Sequence, residues 1–169
     1  MPRLFVMRHA KSSWAVPGAR DFDRELNDRG WFDLEKISKE IKTREYFPEE
    51  ILCSPSERTR QTLQGIQEVL PESVKVSYPN QLYSSGLSEY LELIQDIEGD
   101  HPLMIIGHNP MCGALAAALP KPDSDYPVDE IAYKYPTATI AVIDFDCTSW
   151  ADIEKGKGNL QNCVMPKSL

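Results

Sequence analysis

Three stretches of the chain share one pattern: a short apolar run that stops at residues able to do chemistry. Leu4-Phe5-Val6-Met7 ends at Arg8-His9, Ile51-Leu52-Cys53 at Ser54-Pro55-Ser56-Glu57-Arg58, and Leu103-Met104-Ile105-Ile106 at Gly107-His108-Asn109-Pro110. Apolar runs this short, bounded by turn residues, predict buried strands. The last, apolar without interruption, predicts a central strand covered on both faces. Val74-Lys75-Val76-Ser77-Tyr78 alternates as a strand does, and residues 137–145 are apolar and β-branched enough for another.

Between these runs the period lengthens to that of a helix. Asn27 caps a helix reaching about Lys42, with Gly30, Leu34, Ile37 and Ile41 on one face and Glu35, Lys36, Lys39 and Glu40 on the other. Ser54 is expected to cap the next helix, with Pro55 opening it and Glu57 completing a capping box. Leu63, Ile66 and Leu70 form its buried stripe. Leu87, Tyr90, Leu91, Ile94 and Ile97 mark a third helix stopped by Gly99, and Asn109-Pro110 opens an alanine-rich fourth. Residues 12–24 and 120–130 lack periodicity and predict loops, and a loop as long as the first is usually functional. From Lys155 the chain reads as a surface tail with a last edge strand near Cys163. Alternating strands and helices predict a three-layer α/β/α sandwich around a mostly parallel sheet. With no repeat and no linker, residues 1–169 are expected to form a single domain, the tail from about 155 being peripheral.

Composition narrows the chemistry. A 41% hydrophobic and 26% charged chain is ordinary for a globular protein. Its formal net charge of −8 argues against a broad nucleic-acid or anionic-membrane surface, so an anionic substrate needs a local basic pocket. Cys53, Cys112, Cys147 and Cys163 are scattered without a C-x-x-C pair, against a structural zinc or a disulfide framework, and no metal or cofactor is expected. The opening residues are too few for a signal-peptide core, and nowhere do ~18 apolar residues run together. A cytoplasmic protein is the expectation, and, with no strong exposed apolar stripe, a monomer.

Ligands bind at the C-terminal ends of strands in open α/β sheets, where Arg8, His9, Arg58 and His108 can converge on one phosphate. Guanidinium forks suit the charge spread over a transferring phosphoryl group, and Arg58 lies in a first helical turn whose amides also favour anions. His9, kept neutral by neighbouring arginines, can attack phosphorus and form a phosphoenzyme that water cleaves. His108 can donate a hydrogen bond to a phosphoryl oxygen. Lys11, Ser12 or Ser13 can add donors, and Arg20 can reach substrate from the long loop. Trp14 either walls the pocket or anchors its loop by burial. Arg24, Arg29 and Arg60 read as surface cations and His101 as a turn residue.

Arg8-His9 after a strand, Ser54-Pro55-x-x-Arg58-Thr59-x-Gln61-Thr62 and Gly107-His108-Asn109-Pro110 resemble the three signatures of the histidine phosphatase superfamily. Arg8-His9-Ala10-Lys11-Ser12-Ser13-Trp14 and Phe22-Asp23-Arg24-x-Leu26-Asn27-x-x-Gly30 resemble its phosphohistidine phosphatase (SixA-like) branch, and the similarity spans most of residues 3–145. The resemblance implies a phosphoglycerate-mutase-like fold, His9 as the phosphorylated nucleophile, and a phosphate pocket of Arg8, Arg58 and His108 that works without metal. Ala10 stands where many members carry Gly, and the asparagine that mutase-like members place after the nucleophile is absent.

The substrate expectation rests on another departure. Ester-cleaving members carry an acid in the segment matching residues 81–92, but no acid stands near Leu82-Tyr83. An alkoxide leaving group needs a proton, its conjugate acid being about as weak as water at pKa ~15.7. A phosphohistidine protonated on its free ring nitrogen departs as neutral imidazole. Protein phosphohistidine is therefore the expected substrate; the resemblance to the branch implies that its bearer is a phosphotransfer domain or a phosphotransferase-system protein. The alternatives are a small-molecule phosphomonoesterase using a substrate-derived acid or Glu89, the latter more often simply a favourable first-turn charge, and a phosphate-dependent binding module that turns over poorly.

Overall fold

The structure is a computed structural model that describes residues 1–14 and 16–169; Ala15, inside the expected 12–24 loop, lies outside the described residues. Strands β1 (Arg3–Arg8), β2 (Glu50–Cys53), β3 (Lys75–Ser77), β4 (Leu103–Gly107), β5 (Ile140–Phe145) and β6 (Gly158–Val164) form one sheet in the order β3-β2-β4-β1-β5-β6. β3, β2, β4 and β1 are mutually parallel, and β5 runs antiparallel to both its neighbours. The expected mostly parallel α/β sandwich is the observed one.

Alternation along each strand divides the interior in two. Phe5, Met7, Ile51, Cys53, Met104 and Ile106 face α1 (Asp28–Arg44) and α2 (Glu57–Gln67), meeting Leu34, Ile37, Ile41, Leu63 and Ile66. Leu4, Val6, Leu52 and Ile105 face the opposite layer, where Tyr90 and Ile94 of α4 (Leu87–Gln95) and Cys112, Leu115 and Ala116 of α5 (Met111–Ala118) cover them. Two short helices, α3 (Gln81–Ser84) and α6 (Asp129–Tyr133), complete the order. Each fully buried Leu or Ile contributes roughly 1.5–3 kcal/mol. A slip of one residue would send each strand's apolar set to the wrong layer, so the register is strongly specified.

That register places the site. β4 lies between β1 and β2, with Arg8 opposite Gly107 and Cys53 opposite Ile106. His9 N–H donates to the Gly107 carbonyl at 3.0 Å, and Ser54 N–H to that of Ile106 at 2.9 Å. Residues 9, 54 and 108 thus leave the sheet at one edge, side by side. Gly107 matters here, because a Cβ would come within 2.6 Å of the Tyr90 hydroxyl. Gly30 lets the first turn of α1 lie against the Lys11 carbonyl, which a Cβ would strike.

Some boundaries differ from expectation. α2 starts at Glu57 with Ser56 as its N-cap residue, not at Pro55 behind Ser54. The Thr59 hydroxyl takes the Ser54 carbonyl at 2.7 Å, and the Ser54 side chain is fully buried at the sheet edge. Strand β5 begins three residues late because Ala138 adopts a left-handed conformation (φ 62°) and its N–H turns to the carbonyls of Arg8 and His9. The tail is not peripheral. β6 covers the edge of β5 that would otherwise be left unpaired, burying Leu160, Cys163 and Val164, and the turn Pro166–Ser168 lies against α1. Ser12, Ser13 and Asp21–Asp23 of the expected loop are held in place as well. Ser12 bridges Leu26, Ser13 N–H donates to the Glu25 carbonyl, and Asp21–Asp23 forms a single 3-10 turn.

Candidate active site

A cavity of about 510 Å³ opens at this sheet edge, lined among others by Arg8, His9, Arg58 and His108. The structure brings together the four residues that the sequence nominates as catalytic. The imidazoles of His9 and His108 lie 5.4 Å apart, centre to centre, and both residues are buried. His9 Nδ1 sits 2.7 Å from the Ala10 carbonyl. A carbonyl can only accept, so Nδ1 carries the proton and Nε2 keeps its lone pair. Among the described residues Nε2 has no hydrogen-bond partner. Ala10 is itself fixed, its N–H donating to the Thr62 hydroxyl at 3.0 Å. Burial is the largest influence on His9; the Ala10 carbonyl pulls upward against it, and the positive charges of His108 (when protonated), Arg58 and Arg8 add to burial, bringing the pKa down to about 3.

His108 is neutral for related reasons. Burial and the Arg58 charge lower its pKa to about 4, with Asp21 opposing. Arg58 Nη2 approaches its Nδ1 at 3.4 Å, and Ser54 Oγ lies 2.8 Å from its Nε2. Since a guanidinium only donates, Nδ1 accepts and Nε2–H donates to Ser54. The Tyr90 hydroxyl accepts from the His108 backbone N–H at 3.2 Å, locking the turn after β4. Arg8 Nη1 donates to the Tyr135 carbonyl at 2.9 Å. Arg8 and Arg58 each keep a buried Nε–H without a partner among the described residues. Both residues line the cavity, where guanidinium N–H groups are suited to an anion.

The loop supplies what sequence reasoning missed. Asp21 lines the cavity, its carboxylate accepting from Arg24 Nη1 at 2.9 Å, Tyr83 at 2.9 Å and Arg58 Nη2 at 3.1 Å, while its backbone carbonyl takes Arg58 Nη1 at 2.7 Å. Partial burial acts upward on this carboxyl, but Tyr83, Arg24 and Arg58 outweigh it and hold it down at about 2. Arg24 is not a surface cation. It lines the cavity, stacks 3.3 Å above the Trp14 ring and donates to Ser12 Oγ at 2.5 Å. Trp14 walls the pocket and stays exposed, so burial does not anchor its loop. Ser12 and Lys11 also line the cavity. Arg20 does not; its side chain is exposed and pairs with Asp23 at 2.7 Å. Nor does Glu89, whose Oε2 accepts from Gly86 N–H at 3.1 Å and so closes the start of α4. The spacing Asp21-x-x-Arg24 was the available signal, because i, i+3 residues of one turn meet; it reads equally well as a surface ion pair.

Fold and cavity together define a class: an open α/β sheet presenting two neutral imidazoles and several guanidinium groups to one anion. Comparison with known proteins agrees. Residues 4–83 match the family model of the histidine phosphatase superfamily (branch 1). An uncharacterized protein of Mycobacterium tuberculosis is 33% identical over 165 residues, covering 95% of this chain and all of the relative. Phosphohistidine phosphatase SixA of Escherichia coli is 30% identical over 123 residues, 69% of this chain and 73% of that one. Among solved structures, a protein provisionally called phosphohistidine phosphatase SixA, from Agrobacterium tumefaciens, superposes with a TM-score of 0.81 at 31% identity, covering 98% of each chain. The chain belongs to the histidine phosphatase superfamily and is a phosphatase with SixA-like structural neighbours. No helix among the described residues is long and apolar enough to cross a membrane.

Proposed function

We propose that the protein removes phosphate from protein phosphohistidine through a phospho-His9 intermediate, without a metal. The observation that carries this reading is the His9 tautomer: Nδ1–H held by the Ala10 carbonyl, with Nε2 unprotonated in a ring lining the cavity. The Nε2 lone pair attacks phosphorus as the P–N bond to the substrate breaks. The bonding pair returns to the departing ring, which leaves as neutral imidazole when its other nitrogen already carries a proton. Water then attacks phospho-His9, and the P–N pair returns to Nε2. The proton on Nδ1 never moves, so neither half-reaction needs an acid for its leaving group. Arg8 and Arg58 offer donors to the phosphoryl oxygens. A bound dianion raises the proton affinity of His108, whose Nδ1 then becomes a further donor.

An ester phosphatase would need a positioned acid. Glu89 is engaged at a helix start, and Asp21, the only carboxylate among the residues lining the cavity, titrates near 2 and is ionised at neutral pH. Both points favour the P–N substrate. Rapid quench with a ³²P-phosphohistidine peptide should trap label on the protein within one turnover and lose it in His9→Ala. Turnover of phosphomonoesters equal to that of the peptide would overturn the substrate assignment. Binding of the peptide without turnover or labelling would favour the binding module.

A further inference from the structure

A second groove of about 280 Å³ continues from the catalytic cavity, sharing Lys11 and Thr137 with it and adding Arg29, Asp33, Pro136, Pro166 and Lys167. Three of these seven residues are cations, in a chain with 18 basic and 26 acidic residues. Asp33 is the one acid in the lining, and it is buried and engaged by Arg29 Nε at 3.0 Å. A fourth cation joins from outside: Lys134, just after α6, meets the Lys167 side chain and pushes its pKa below the usual lysine range. Lys11, Lys134 and Lys167 are exposed, and among the described residues none has a carboxylate within 4.0 Å, whereas Arg3, Arg20 and Arg44 are each paired with one. Bringing like charges together is unfavourable unless an anion is shared between them. The C-terminal turn is what delivers Lys167, which gives the end of the chain a role beyond covering β5.

We propose that this groove docks carboxylate side chains flanking the phosphohistidine on the substrate protein, so that an acidic segment lies along it while the phosphoryl group enters the cavity. The inference rests on the phosphohistidine reading, since continuity with the cavity puts the two anions on one ligand. Exposed cations give such docking a strong salt dependence and act chiefly on encounter and KM, leaving the chemical step alone.

The test compares the full-length chain with Lys134→Glu/Lys167→Glu, and with the milder Lys134→Gln/Lys167→Gln. Substrates are phosphoramidate and two phosphohistidine peptides, one flanked by Glu and the other by Gln. The wild type should prefer the Glu-flanked peptide at least tenfold in kcat/KM at low salt, through KM. The preference should shrink with added salt and vanish in the Glu variant, while phosphoramidate turnover, which also reports folding, stays unchanged. Equal kcat/KM for the two peptides in the wild type, or a preference that survives both variants, would overturn it. A separate arm titrates the unphosphorylated Glu-flanked peptide by fluorescence anisotropy. Salt-sensitive binding, lost in the variants, supports the groove even if phosphohistidine is not the substrate; no binding to the wild type in that case overturns it.

Discussion

The strand ends and the long loop contribute to the same cavity by different means. Arg8, His9, Ser54 and His108 are placed by the backbone, where β1, β2 and β4 finish in register, and His9 and His108 are more than nine-tenths buried. Asp21 and Arg24 are placed by side-chain bonds from residues 12–24, and the Asp21 side chain is 47% exposed. The sheet therefore fixes where a phosphorus atom can sit, and the loop adjusts the charge around it. Arg8, Lys11, Arg24 and Arg58 face one carboxylate, and that carboxylate occupies donors on two of the arginines.

The comparison predicts a hierarchy of losses. Removing the nucleophile should be most severe: His9→Ala is expected to lower kcat by on the order of 10⁴-fold or more and abolish labelling, measured by rapid quench. Arg58→Ala should cost about 10²–10³-fold in kcat, as loss of a preorganised donor does, and Arg58→Lys should recover only part, because an ammonium lacks the planar fork. If a loop residue such as Arg24 proved as costly as His9, the division between the two regions would fail.

Stability against pH separates the regions by window. His9 and His108 fall from 6.5 to about 3 and about 4, so between those values the unfolded chain binds more protons than the folded one. Stability should then drop as pH falls from about 6.5 toward 4. Asp21, down from 3.8 to about 2, contributes stability that is intact above its ordinary value and lost only below it. Its half-exposed position makes that contribution small and salt-sensitive. Urea unfolding at pH 7, 5.5 and 4 should show the first decline in the wild type, flattened in His108→Asn. A curve independent of pH from 6.5 to 4 would mean that the two imidazoles are not held neutral.

Asp21→Asn should act in the opposite direction on ligand binding. The carboxylate competes with a phosphoryl group for Arg58 and Arg24, so its removal should tighten inhibition by inorganic phosphate by about three- to tenfold, on the scale of the ~1 kcal/mol that two charges exchange in water-like surroundings, as suits a half-exposed side chain. Weaker inhibition would show instead that Asp21 serves to orient the two forks.

This contrast also explains what could be read from sequence. The strand-end residues were legible because an apolar run ending at a cation or an imidazole makes little sense as core, and three such endings point to one sheet edge. Arg24 and Asp21 were not, since a turn residue paired at i+3 has the same local signature whether it lies on a surface or walls a cavity. Ser54 reads as a helix cap because Ser-Pro-x-Glu satisfies that rule locally; its side chain instead meets His108, a partner 54 positions away that no local pattern reveals. The tail was legible in part: the edge strand expected near Cys163 is β6. Its burial was not, because Gly- and Lys-rich segments look solvated and only the open edge of β5 draws residues 158–164 into the sheet.

Glu89→Ala carries the smallest expected effect and bears on the substrate argument. Glu89 Oε2 accepts from Gly86 N–H and stands in the first turn of α4, where a negative charge is also favourable. Its loss should cost about 0.5–1 kcal/mol, a fall in Tm of ~1–4 °C for a chain of this size. Turnover of both phosphohistidine and ester substrates should stay within about twofold, because removing a group that does not line the cavity takes nothing from the transition state. A selective collapse of ester hydrolysis, with Tm unchanged, would instead make Glu89 the proton donor. The absence of an acid near Tyr83 would then no longer favour a phosphorus–nitrogen substrate.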